Sequence, residues 1–156
     1  MKGNTEVIKQ LNKLLTGELT AMDIYLLLSK ICEDLGMNKL SQRFNHEVDD
    51  ERAHADLLIE RILFLEGTAD VASRQKFSVS QDLKENIQMA LDDEYQVAKN
   101  LKVAIKNCED HQDFQSRSIL QQLLNDTEMD HINWLEIQLR LIKSIGIQNY
   151  IQSNMS

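Results

Sequence analysis

Residues 45–56 read NHEVDDERAHAD, and residues 128–131 read EMDH. Each stretch holds a Glu-x-x-His: Glu51 with His54, and Glu128 with His131. In an α-helix, residues three apart share a face, so each pair offers a carboxylate and an imidazole to the same neighbour. The surrounding apolar residues identify that face. Phe44, Val48, Ala55, Leu58, Ile62 and Leu65 step by threes and fours through the first pair, and Leu120, Leu124, Leu135, Leu139 and Ile142 through the second. Both pairs therefore interrupt a core-facing stripe. Two further stripes are interrupted in the same way. Val7, Leu11, Leu14, Met22, Tyr25 and Leu26 pass through Glu18, and Ile87, Leu91, Ala98, Leu101 and Ile105 pass through Glu94. A lone buried carboxylate costs several kcal/mol or shifts its pKa strongly, and four together repel one another. A pair of divalent cations is the simplest compensation.

Working outward, the stripes define four long helices. Asn4 or Thr5 caps the first, which runs to Leu35 with Gly36 at its C′ position. Asn38 caps the second, over residues 39–66, closed by Gly67. Ser78 and Gln81 fit a capping box for a third helix reaching about Glu109. Asp113 caps a fourth that ends near Ile145, before Gly146, and residues 147–152 add a short last turn or two. Helices of roughly 28–32 residues are about 42–48 Å long. The turns near Met37 and at residues 110–113 make antiparallel pairs. Residues 68–80 lack helical periodicity and can reach about 45 Å extended, which reads as a crossover along the bundle rather than a hairpin. The expectation is an all-α, single-domain chain over residues 1–156: a four-helix bundle with a long crossover between helices two and three and a short C-terminal helix.

Composition excludes other classes. The chain has 156 residues, 42% hydrophobic and 27% charged, with no proline and five glycines. That is globular rather than disordered, and it lacks the turn punctuation of an all-β fold. The longest apolar runs, residues 24–28 and 62–65, are too short to span a bilayer. A formal charge of −8 disfavours nucleic acid and favours cations. Two cysteines, Cys32 and Cys108, make no disulfide framework, and the chain reads as cytoplasmic. No nucleic-acid or membrane partner is expected.

Spacing sharpens the metal reading. Glu18 and Glu51 are 33 residues apart, Glu94 and Glu128 are 34 apart, and the two halves repeat with an offset of 76 or 77. One Glu from each of two helices and one Glu-x-x-His from each of the other two is the ligand set of ferritin-like di-iron carboxylate proteins. Together with MKGNTEVIKQLNKLLTGEL at the start, RILFLEG at residues 61–67 and DHINWLEIQLRLIKSIGIQNY near the end, this makes the chain resemble bacterioferritin and its haem-free bacterial ferritin relatives over essentially its whole length.

The resemblance implies a cage of twenty-four subunits that oxidises Fe²⁺ at a di-iron ferroxidase centre in each subunit, with O₂ or H₂O₂, and stores ferric mineral inside. Glu18 and His54 would hold one iron and Glu94 and His131 the other, with Glu51 and Glu128 as bridges. Tyr25 resembles the family's tyrosine beside the centre; a core tyrosine with a satisfied hydroxyl is the plain alternative. Trp134 resembles a tryptophan near the site, although a bulky core residue accounts for it as well. His46 and Asp50 match residues that bind iron on the inner cage surface, and a solvated acidic face with Glu47 and Asp49 is the plain alternative. Haem-binding members carry methionine after the glutamate that matches Glu51. Here that residue is Arg52, so a homo-oligomer is expected to bind no haem, and a salt-bridged surface is the alternative role for the arginine. Partners implied are copies of the same chain, a co-assembling haem-binding bacterioferritin subunit, and a reductase or ferredoxin for iron release. A di-iron oxidase or oxygenase acting on an organic substrate is the alternative function. A shell-building subunit without a centre is a third, disfavoured by the full ligand set.

Overall fold

The computed structural model describes residues 1–155; Ser156 lies outside the described residues. No strand occurs among the described residues. Helix α1 spans Thr5–Asp34, capped by Asn4, whose side-chain oxygen accepts from the backbone N–H of Glu6 at 2.8 Å and of Val7 at 3.3 Å. Gly36 takes φ +76, the left-handed turn that a side chain would strain. Helix α2 spans Asn38–Phe64. Its cap position belongs to Met37 rather than to Asn38, which is already helical. At its end Glu66, not Gly67, takes the positive φ. Gly67 is required for space, because a Cβ there would stand 2.8 Å from the Ile8 side chain.

Helix α3 spans Leu83–Asp110 and starts later than the sequence suggests. Asp82 caps it, accepting from Glu85 N–H at 2.9 Å, in place of a Ser78/Gln81 box. The delay has a local cause. The Asn86 side chain bonds both the N–H and the C=O of Ser80, at 2.8 and 2.9 Å, and holds the incoming chain extended. The fourth rod is α4, Phe114–Asp126, capped by Asp113; then a π turn, Thr127–Ile132; then α5, Asn133–Ile145. A short α6, Ile147–Asn154, follows Gly146 and runs slightly beyond the expected residue 152.

The crossover lies along α1. Asn12 bonds Thr68 and Asp70, Thr20 accepts from Gln75 N–H at 3.0 Å, and Arg74 pairs with Asp23 at 2.8 Å. The chain thus travels from the N-terminal to the C-terminal end of α1 before α3 begins, which makes α2 and α3 parallel. The core divides into two apolar clusters. One centres on Leu11, Leu15, Leu58, Ile62, Leu101 and Leu120, the other on Ile24, Leu28, Phe44, Ile87, Leu135 and Tyr150. Tyr150 brings α6 onto its own bundle, its hydroxyl donating to Gln138 Oε1 at 2.9 Å. No helix is long and apolar enough to cross a membrane among the described residues.

Candidate metal centre

The residues that interrupt the stripes meet between the two apolar clusters. Glu18 on α1, Glu51 and His54 on α2, Glu94 on α3 and His131 in the π turn are each at most 4% exposed. They form two groups with potential ligand atoms within 4.8 Å of one another: Glu18, Glu51, His54, and Glu51, Glu94, His131. Glu51 belongs to both. Its Oε1 lies 2.9 Å from His131 Nδ1, and its Oε2 lies 3.4 Å from His54 Nδ1. Glu18 Oε2 is 3.7 Å from His54 Nδ1, and Glu94 Oε1 is 3.2 Å from His131 Nδ1. The two imidazoles stack with centroids 5.6 Å apart. Among the described residues, both oxygens of Glu18, Glu51 Oε2, Glu94 Oε2 and His54 Nδ1 have no hydrogen-bond partner although buried. Unsatisfied buried acceptors call for a ligand, and oxygen with imidazole nitrogen suits divalent iron. The residues fit such ions.

Electrostatics agree. Burial, then the neighbouring Glu51 carboxylate, pushes Glu18 up to about 8. Burial pulls His54 and His131 down, but their carboxylate partners outweigh it and carry them up to about 11 and about 12. Burial and the Glu94 charge hold Tyr25 well above the usual phenol value. Its hydroxyl donates to Glu94 Oε1 at 2.5 Å, so the structure brings Tyr25 to the cluster.

Glu128 stands apart from both groups. The sequence reading sets it opposite Glu51 as a second bridge. The structure leaves its side chain 43% exposed and ion-paired to Lys102 at 2.8 Å. The reason is the π turn. Each residue of a π turn rotates less about the axis than in an α turn, so the i,i+3 relation of Glu128 to His131 no longer means one face. Thr127 is the buried side chain there, 1% exposed. The 34-residue spacing in the second half, one more than in the first, is the trace of this in the sequence.

His46 and Asp50 pair at 3.3 Å on the surface side of α2 and group with Asp130. Together with His54 and Asp126 they line a cavity of about 320 Å³ beside the cluster. Glu47 is not on a solvated face: it is fully buried, with Oε2 3.1 Å from His131 Nε2. Asp126 Oδ2 accepts from His54 Nε2 at 3.2 Å. Sequence reading missed both. A helical wheel would have put Glu47 one turn before Glu51, on the same face. Trp134 packs edge-on against Phe44 at 5.6 Å. Arg52 is exposed and makes no ion pair among the described residues of this single chain. Cys32 and Cys108 are buried free thiols, both pushed up to about 11 by burial.

Four helices around a carboxylate and imidazole cluster define a ferritin-like bundle. The family model for the ferritin-like domain matches residues 8–145, and the chain belongs to that family. It is 53% identical over 156 residues to a bacterial ferritin of Synechocystis sp., covering all of both chains. It is 44% identical over 155 residues to a bacterial ferritin of Neisseria meningitidis, covering 99% of this chain and all of the relative. A bacterioferritin of Mycobacterium leprae is 37% identical over 150 residues, 96% of this chain and 94% of the relative.

Proposed function

We propose that this chain takes up and stores iron, oxidising Fe²⁺ as its substrate at the buried centre and depositing the ferric product inside a closed homo-oligomeric shell in the cytoplasm. One observation carries the reading: two buried ligand triads that share Glu51. Glu18, Glu51 and His54 hold one Fe²⁺, and Glu51, Glu94 and His131 the other. Two adjacent Fe²⁺ lose one electron each. O₂ takes both with two protons and leaves as hydrogen peroxide, so the pair matches a two-electron oxidant. The carboxylates favour the trivalent product electrostatically. The acidic cavity beside His54 supports cation entry. The relatives' names, bacterial ferritin and bacterioferritin, support storage and assembly. The resemblance supports twenty-four copies.

The test is stopped-flow Fe²⁺ oxidation with Glu51→Ala beside the wild type. Losing the shared carboxylate removes a ligand from both ions, and the fast phase should fall at least about a hundredfold while light scattering still finds a particle of several hundred kDa. Oxidation at the wild-type rate by Glu51→Ala would place the chemistry elsewhere.

A further inference from the structure

We propose that Glu47 and Arg43 are positioning residues for the centre: Glu47 accepts from Nε2–H of His131 and so turns Nδ1 to the metal, while Arg43 holds Glu47 in place. The inference rests on the two-metal reading above and adds to it. The two ring nitrogens of His131 face different partners. Nδ1 faces Glu51 and Glu94 at 2.9 and 3.2 Å. Nε2 faces Glu47 Oε2 at 3.1 Å, with Asp50 further off at 3.6 Å. An imidazole ligates through a nitrogen without a proton, so the other nitrogen must carry the proton and place it somewhere. An ionised carboxylate can only accept. Glu47 therefore selects the tautomer that leaves Nδ1 free.

Glu47 is 0% exposed, and its oxygens and His131 Nε2 have no hydrogen-bond partner among the described residues; Glu47 and His131 meet as an ion pair at 3.1 Å. A charge in that position needs a counter-charge. Arg43, one turn earlier on α2, ion-pairs with it. Arg43 is itself fixed from the other side, bonding Asp130 at 2.7 Å and lying 4.9 Å over the Trp134 ring. Asp130, His131 and Trp134 all belong to the π turn and the start of α5. The network thus ties α2 to the segment that carries the ligand, and it gives Arg43, Glu47 and Trp134 one task. The other imidazole differs. His54 Nε2 meets Asp126, whose side chain is 43% exposed and has no Lys or Arg paired with it among the described residues. Orientation by a buried, anchored carboxylate belongs to the His131 half alone.

The test is Co²⁺ titration of the assembled protein, followed by visible absorption and calorimetry. Glu47→Gln keeps shape, but its amide donates as readily as it accepts and no longer selects the tautomer. One of the two Co²⁺ ions should bind about 10–100-fold more weakly, with a changed absorption band, while the other stays within about twofold. Arg43→Met should weaken the same ion by less. The unfolding temperature reports any general structural effect. Wild-type affinity for both ions in Glu47→Gln overturns the proposal, as does equal weakening of both. A third Co²⁺ in the wild type that Glu47→Gln loses makes Glu47 a ligand and overturns it too. A wild type that binds no Co²⁺ pair overturns the two-metal reading itself, and this proposal with it.

Discussion

At the centre, proton and metal compete for the same atoms. Glu18 stands at about 8, His54 at about 11 and His131 at about 12, so all three carry their protons at pH 7. Metal ligation needs the unprotonated forms. Binding two divalent ions should therefore release about three protons per chain, measured by pH-stat in weakly buffered solution with Zn²⁺ as a redox-silent probe. The sign follows from the direction of all three shifts: raised values mean tighter proton hold, so affinity should rise with pH from 6 to 8. Release of no protons would mean that the ions bind elsewhere. The Tyr25 hydroxyl, bonded to Glu94, belongs to the same protonated network.

At the scale of elements, the π turn decides which side chains face the centre. It adds one residue to a rod that must keep both ends in register, Leu120 and Leu123 in one apolar cluster and Leu135 and Ile142 in the other. Such one-residue bulges are characteristic of functional sites in helices. Deleting Thr127 should relax the turn to α and move Glu128 into the buried position that Thr127 now fills. The pair with Lys102 would be lost, and a fourth carboxylate would face Glu51. A crystal structure of the deletion variant checks the register, and Co²⁺ titration should show tighter binding from the added ligand. If Glu128 stays on Lys102, the bulge is not what excludes it.

For the whole molecule, the surface that each chain offers to its copies sets what the assembly can hold. Arg52 is exposed on α2, next to Glu51. The resemblance implies methionine in this position in haem-binding relatives, with a soft thioether from each of two subunits on the iron. A guanidinium has no lone pair to offer and brings a charge that an apolar porphyrin pocket does not balance. Protein expressed from this chain alone with haem supplied should show no bis-thioether spectrum, and Arg52→Met should create one. A stoichiometric haem in the wild type would show that another residue takes the role.

The sequence alone carried the four helices, the crossover and the five side chains Glu18, Glu51, His54, Glu94 and His131 that meet between the apolar clusters, because those depend on periodicity, and periodicity is local. Steps of three and four name the buried face whatever the neighbours are, and a polar residue on that face stands out. Gly36 and Asn4 were legible for the same reason: left-handed turns and caps act within a few residues. What tertiary structure decided is where two helices meet. Asn86 clamps Ser80 and delays the start of α3, and the π turn turns Glu128 out. Glu47 is buried only because Arg43, Trp134 and His131 close around it. None of these follows from one helix read by itself, since burial of a charge depends on the partner that arrives from another part of the chain.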